Sequence, residues 1–195
     1  MIAGTCILKR FALLALVSAG LMFTGQGLWI HAKAVLAQYL LRDAWAKTLT
    51  DGPPHKPWPW AEHWPVARLT VADHGVDQIV LSGDSGNVLA FAPGHNRLSG
   101  LPGEHKTIVI SGHRDTHFAF LKDLRVGEAI GLQNRNGKAR YRISDLQVID
   151  SRNTRIRIDP FGDELLLITC YPFDGLVAGG PMRYVVTAQQ SGFVL

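Results

Sequence analysis

From Val66 onward, short runs of β-branched and apolar residues alternate with turn residues. Such runs predict strands. The runs are Val66–Val71, Gln78–Leu81, Val88–Ala92, Thr107–Ser111, Ala129–Gln133, Ala139–Asp150, Arg155–Ile158, Glu164–Cys170 and Arg183–Gln189. Asn134–Gly137 has the Asn-Gly chemistry of a hairpin turn, and only Thr116–Leu124 has a helical pattern in this region. Many short strands with few helices predict a closed or nearly closed β-barrel or a sandwich.

The segment Phe11–Ile30 contains no charged residue. At a rise of about 1.5 Å per residue, an apolar helix of this length spans the hydrocarbon core of a bilayer. Lys9 and Arg10 precede it, which predicts a cytoplasmic N-terminus. We therefore expect a cytoplasmic segment over residues 1–10, a single-pass inner-membrane anchor over 11–30, a helical stalk and Pro/Trp linker over 31–65, and an extracytoplasmic β domain over 66–195.

An alternative interpretation of the N-terminus is a cleaved signal peptide, with Ala32-Lys33-Ala34 as its cleavage site. The apolar run is longer than the usual core of such a peptide, which favours the uncleaved anchor. With the anchor in place, Cys6 and Cys170 lie on opposite sides of the membrane. Because they could not pair within one chain, we expect Cys170 to be a free thiol.

The charge pattern excludes some classes of function. The net charge is +4, but the basic residues are scattered and do not interleave with aromatic residues as in nucleic-acid-binding grooves. We therefore expect no nucleic-acid partner.

The sequence contains no CxxC pair and no Cys/His cluster that would predict a zinc site. His113 and His117 have a metal-like spacing only if they lie on a helix, and Gly112 with the strand before it argues against one.

Three chemically useful side chains stand at the ends of apolar runs. His113 follows the run Thr107–Ser111, Cys170 ends the run Glu164–Cys170, and Arg183 begins the last run. A thiolate is a nucleophile, a histidine can protonate a leaving amine, and an arginine can stabilise an oxyanion. Each residue also has a plain alternative: a buried small hydrophobe for the cysteine, a turn hydrogen bond for the histidine and a surface ion pair for the arginine.

The flanking residues resemble those of a known family. Ser111–Phe118 (SGHRDTHF), Leu167–Phe173 (LITCYPF) and Arg183–Val186 (RYVV) are similar to the His, Cys and Arg motifs of the sortases, in the family's chain order. The resemblance covers Trp58 to Gln189 and is strongest to the Gram-negative class GN, with class D next. One position departs from the usual Thr-Leu-x-Thr-Cys pattern, because Leu166 stands where the family has threonine.

The resemblance implies the sortase β-barrel, of about eight strands, and transpeptidation without a cofactor. Cys170 would cleave an LPxTG-like sorting signal through a thioester and pass the protein to an unidentified amine. His113 would be the acid/base, Arg183 would support the oxyanion, and Thr169 would help to position the peptide. We see no acidic cluster that justifies the calcium site of some sortases. A hydrolytic thiol peptidase and an inactive peptide-binding barrel are the alternative functions.

Overall fold

The computed structural model describes residues 2–175 and 179–194, and within the long first helix it describes the side chains of residues 14, 16–27, 29 and 32–51. The chain divides into two compact units, residues 1–39 and 40–195. Helix α1 runs over Ile2–Asp51 and so extends from the first unit into the second.

No helix within the described residues is both long and apolar enough to cross a membrane. The expected anchor, Phe11–Ile30, falls within α1, and its side chains at 11–13, 15, 28 and 30 lie outside the described ones. The side chain of Cys6 also lies outside them.

The second unit is built on a closed barrel of eight strands, which confirms the predicted barrel. The strands are β1 Pro65–Val71, β2 Val76–Ser82, β3 Gly94–His95, β4 Ile108–Ser111, β5 Ala129–Gln133, β6 Lys138–Asp150, β7 Glu164–Cys170 and β8 Met182–Val194. Their order around the barrel is β1-β2-β3-β4-β7-β8-β6-β5, and β5 pairs with β1 to close it. The short helices are α2, Gly86–Leu89, and two 3-10 turns, Ala72–His74 and Ala119–Asp123.

Alternate residues of the strands fill the barrel interior. The interior cluster includes Ile108 and Ile110 of β4, Leu165 and Leu167 of β7, and Val186 of β8, all fully buried. Because side chains alternate between the two faces of a strand, the intervening residues of these strands must point outward. The register of the barrel therefore decides which motif residues share a face.

The last turns of α1 pack on the outside of the barrel. Leu41 and Trp45 join a buried cluster with Ile79 and Leu81 of β2. Arg42 donates to the Asp77 carboxylate at 3.2 Å. The helix thus covers part of the apolar outer surface of β2.

Two strand predictions were wrong. Val88–Ala92 is not a strand: it begins within α2, and Val88 and Ala92 pack in the cluster beneath α1. A short apolar run does not by itself distinguish a strand from a helix. Arg155–Ile158 forms no strand either, and lies in the connection between β6 and β7. There Ile156 packs on the outer face of the sheet instead of pairing with another strand.

The predicted helix and the predicted hairpin differ in outcome. The predicted helix Thr116–Leu124 contains only the 3-10 turn Ala119–Asp123. The hairpin at Asn134–Gly137 is confirmed, because it connects the antiparallel strands β5 and β6. The amide of Gly137 donates to the Asn134 side chain at 2.9 Å. Strand β3 was not predicted, since two residues carry no periodicity.

Candidate active site

The site begins with the parallel pairing of β4 and β7. Ser111, the last residue of β4, pairs with Ile168, two residues before the end of β7. Because parallel strands run in the same direction, the residues that follow both strands emerge at the same edge of the barrel. The amide of Gly112 also donates to the Ile168 carbonyl at 3.1 Å, which carries the register one residue past the strand.

Thr169 links the ends of β4 and β7. Its side chain is 2% exposed, and its hydroxyl donates to the Gly112 carbonyl at 2.7 Å. The residue before His113 is therefore bound to the residue before Cys170. The predicted contact between Thr169 and a peptide remains a prediction; what the structure adds is this link between two strand ends.

Gly112 leaves no room for a side chain on the inner face. A Cβ atom there would lie 2.6 Å from the Phe118 ring, which is fully buried in the barrel core. Two turn hydrogen bonds hold the next residues, because the Phe118 and Thr116 amides donate to the His113 carbonyl at 2.9 and 3.4 Å. Close packing on Phe118 thus fixes where the backbone leaves β4, while the His113 side chain is exposed.

Cys170 and Arg183 face each other across β7 and β8. They are directly paired in the antiparallel register. Side chains opposite each other in such a pair have Cβ atoms about 4.5–5.5 Å apart. Both residues are partly exposed, and Cys170 is a free thiol. Of the three predicted catalytic residues, these two are neighbours by register, and His113 lies at the adjoining strand end.

The guanidinium of Arg183 is anchored by its own loop. Its Nη1 donates to the Met182 carbonyl at 2.9 Å and also to the Gly180 carbonyl. An arginine has further N–H groups in the same plane, and these can bind another oxygen. The amide of Tyr171, next to the thiol, already donates to the Met182 carbonyl at 3.0 Å. Arg183 is therefore better suited than this amide to bind an oxyanion.

The face that carries Cys170 and Arg183 continues as an apolar strip. Its members alternate with the interior residues and form a separate buried cluster, Val109, Leu166, Ile168 and Val185, with Ile149 and Ile156 packed against it. Beside it, a cleft of about 440 Å³ lies between residues 154–157 of the β6–β7 connection and the outer faces of β6, β7 and β8. The sequence does not reveal this strip, because the run Leu165–Ile168 is apolar on both faces.

The sequence did not identify two titratable residues near His113, His117 and Arg114, as site residues. Burial lowers the pKa of His117, and the neighbouring charge of His113 lowers this pKa further. Arg114 is only 7% exposed. Nothing in the pattern Gly-His-Arg-Asp distinguishes a buried arginine from a surface one, so only the structure could reveal it. Among the described residues, no group of three or more His, Cys, Asp or Glu side chains could hold a metal ion.

The chain is similar to known proteins in both sequence and fold. The chain is 34% identical over 108 residues to Sortase D of Bacillus subtilis (strain 168), and the match covers 55% of this chain and 54% of that protein. The chain thus spans about half the length of that curated relative.

Among solved structures, a Clostridium perfringens Sortase D5 transpeptidase has the same fold. Its TM-score is 0.66 at 19% identity, over 81% of this chain and 99% of that one. Sortase A from Corynebacterium diphtheriae has a TM-score of 0.60 at 25% identity, over 68% and 63% of the two chains. The model of the sortase domain matches residues 69–191, more than half of the sequence and the whole barrel from β1 to β8 except its ends. With His113, Cys170 and Arg183 at one edge of that barrel, the chain belongs to the sortase family.

Proposed function

We propose that this protein is a cysteine transpeptidase that cleaves an LPxTG-like C-terminal sorting signal and transfers the protein to an amine. The observation that carries the proposal is the shared edge of β4, β7 and β8. There Cys170 faces Arg183 across one strand pair, and the backbone that leads to His113 is bonded to the residues that precede Cys170. The positions proposed for the nucleophile, the proton carrier and the oxyanion donor thus lie at the ends of three adjacent strands.

The chemistry follows from the three side chains. The Cys170 thiolate attacks the carbonyl carbon of the substrate threonine, and Arg183 donates hydrogen bonds to the oxyanion that forms. The C–N bond to the glycine then breaks, and His113 gives its proton to the leaving amine. A thioester remains on Cys170. An incoming amine attacks the thioester and loses a proton to His113. The C–S bond then breaks, which restores the Cys170 thiolate and the protonated His113.

The apolar strip supports a peptide substrate. Leu166 and Val185 line the cleft beside the β6–β7 connection, and Val185 lies two residues from Arg183 on the same face of β8. An extended peptide whose reacting carbonyl is at Cys170 can place an apolar side chain against this strip. We assign the leucine and proline of the sorting signal to this cleft. Leu166 enlarges its apolar surface where the family usually has threonine.

We further propose that residues 11–30 anchor the protein in the inner membrane, with the barrel on the extracytoplasmic side. The uncharged segment and its basic flank, Lys9 and Arg10, support this. A sorting-signal substrate that is itself membrane-anchored would then share a surface with the enzyme. We also propose that the protein belongs to sortase class GN, because of the motifs around His113 and Cys170. Measuring which sorting peptides it prefers tests this assignment.

Mass spectrometry of the acyl-enzyme tests the reaction. The full chain is incubated with an LPxTG peptide without an added amine, and we expect a mass increase on Cys170 that hydroxylamine removes. Cys170→Ala should form no adduct, because no other described side chain lies opposite Arg183 as a nucleophile. Cys6→Ala is the matched control and should react like the wild-type protein.

The fate of the thioester separates transfer from hydrolysis. With an added amine, a transpeptidase gives the amide product, whereas a hydrolytic thiol peptidase releases the free acid at an unchanged rate. An adduct that forms equally in Cys170→Ala refutes the nucleophile. Absence of any adduct with a panel of sorting peptides refutes the proposed reaction.

A further inference from the structure

We propose that Arg114 is a positioning residue. It holds the segment that follows Cys170 against the turn that follows β4 and contains His113. This inference rests on the proposed function. Arg114 immediately follows His113, yet its side chain is 7% exposed. It points away from solvent and into the segment Tyr171–Gly175, which immediately follows Cys170. We call its contacts with that segment the Arg114 bridge.

The bridge consists of two hydrogen bonds to backbone carbonyls. Nη1 donates to the Pro172 carbonyl at 2.7 Å, and Nη2 donates to the Gly175 carbonyl. These carbonyls lie 58 and 61 residues from Arg114 in the sequence. One guanidinium therefore fixes both ends of a short segment.

The approach of the guanidinium depends on Gly175. A Cβ atom at this position would lie 2.8 Å from Nη1 of Arg114 and 3.3 Å from the Pro172 carbonyl oxygen. Any side chain at this position would displace the Arg114 guanidinium from the two carbonyl acceptors. Gly175 thus offers a way to disturb the bridge while leaving Arg114 unchanged.

Further contacts of the segment are made with β8. Phe173 packs edge-on against Tyr184, with ring centroids 5.2 Å apart, and Tyr171 stacks on Tyr184 at 6.4 Å. These contacts bind the segment to the strand that carries Arg183. The Arg114 bridge adds the link to the histidine side of the site. Together they relate all three proposed catalytic positions through one five-residue segment.

An arginine suits this task better than a lysine. Its planar fork presents two N–H groups in a fixed geometry, whereas a lysine ammonium is a point donor on a flexible stem. A buried charge needs compensation. Besides the two carbonyls, Nε donates to the Asp115 carboxylate at 3.3 Å, and that carboxylate is 68% exposed. The two carbonyl oxygens are acceptors for this buried charge, which favours retention of the bridge.

The kinetic test compares Arg114→Lys, Arg114→Met and Gly175→Ala in the full chain. Misplacement of reacting groups by about 1 Å can cost on the order of 100-fold in rate. We expect each variant to lower kcat for sorting-peptide cleavage by about 10- to 100-fold, with KM close to the wild-type value, because the apolar cleft is untouched. Arg97→Met is the matched control. Arg97 donates to Ser82 and lies over the Trp64 ring, away from the segment.

A second measurement does not depend on catalysis. Hydrogen–deuterium exchange of a peptide that contains residues 171–175 should be faster in Arg114→Lys and Gly175→Ala than in the wild type, and unchanged in Arg97→Met. If Arg114→Met does not fold, the decision rests on the other two variants. Unchanged exchange overturns the bridge, whether or not the wild type cleaves peptides. Full kcat in Arg114→Lys, or an equal loss in Arg97→Met, also overturns it.

Discussion

At the scale of single residues, the site depends on small groups that bring backbones together. Gly112 allows the Phe118 ring to close the barrel directly below the histidine turn. Thr169 uses its hydroxyl to bind the Gly112 carbonyl. Neither residue carries the proposed chemistry. Both residues set the position of the His113 backbone relative to Cys170. Their substitution should therefore affect catalysis by displacing His113.

We predict that Gly112→Ala destabilises the barrel. A methyl group 2.6 Å from the Phe118 ring must displace a fully buried side chain. Overpacking of this kind costs about 1–3 kcal/mol, and peptide cleavage should fall because the histidine turn shifts. Thermal unfolding and cleavage rates measure the two effects.

Gly86→Ala is the matched control for this change. A Cβ atom on Gly86, at the start of α2, meets no atom within 4 Å, and its φ is not positive. We expect wild-type activity and an unchanged or slightly raised Tm. Equal Tm values for Gly112→Ala and the wild type would contradict the steric account.

At the scale of elements, the end of α1 is tied to the barrel by charge as well as by apolar packing. The Asp77 carboxylate on β2 accepts two hydrogen bonds from Arg68 of β1, both at 2.7 Å, and one from Arg42 of α1 at 3.2 Å. These partners, Arg68 first, lower the pKa of Asp77 from 3.8 to about 2. A carboxylate thus joins three elements through two arginines.

We predict an acid-sensitive contribution from Asp77. Because its folded pKa is depressed, the ionised form stabilises the fold above its unfolded pKa near 3.8, and this stabilisation is lost as the pH falls toward about 2. Asp77→Asn should lower Tm at neutral pH and flatten the decline of Tm between these two values. The effect should be modest, since the carboxylate is 35% exposed.

Tm measured against pH for the wild type and Asp77→Asn provides the test. Asp73→Asn is a suitable control, because Asp73 lies on the exposed 3-10 turn between β1 and β2. Parallel Tm curves for the wild type and Asp77→Asn across the acid range would disprove the predicted linkage.

At the scale of the whole molecule, one face of the sheet carries both an apolar strip and two of the proposed catalytic residues. Cys170 and Arg183 stand at its edge, and the apolar strip extends from them beneath the β6–β7 connection. The proposed anchor belongs to the N-terminal unit, residues 1–39, which is separate from the unit that contains the barrel. This division predicts that anchoring and chemistry can be tested independently.

We predict that deletion of residues 1–39 leaves cleavage of a soluble sorting peptide unchanged. The same deletion should slow cleavage of a membrane-anchored substrate in vesicles, because shared confinement raises the effective concentration of the two partners. Rates for both substrates, with and without the deletion, provide the measurement. Equal slowing of both substrates would mean that residues 1–39 support the barrel itself.

The strand pattern predicted most of the strands and left a barrel or a sandwich open, and the resemblance to the sortases implied the barrel. The sequence also singled out the three candidate catalytic residues. Strand periodicity and turn residues are local properties, and the motifs around His113, Cys170 and Arg183 are contiguous in sequence. Val88–Ala92 was mistaken for a strand because a short apolar run fits both the helical and the strand periodicity. Arg155–Ile158 was mistaken for a strand because a loop that packs on a sheet can also have alternating polar and apolar residues.

Apart from the β5–β6 hairpin, only the tertiary structure decided which strands are neighbours. Gly112 and Thr169 are 57 residues apart in the sequence, and their hydrogen bond exists only because β4 pairs in parallel with β7. The burial of Arg114 and the apolar strip beside Cys170 depend on the same pairing. Local sequence sets the conformation of each strand, whereas the burial of side chains from distant segments in one core sets which strands pair and which side chains meet.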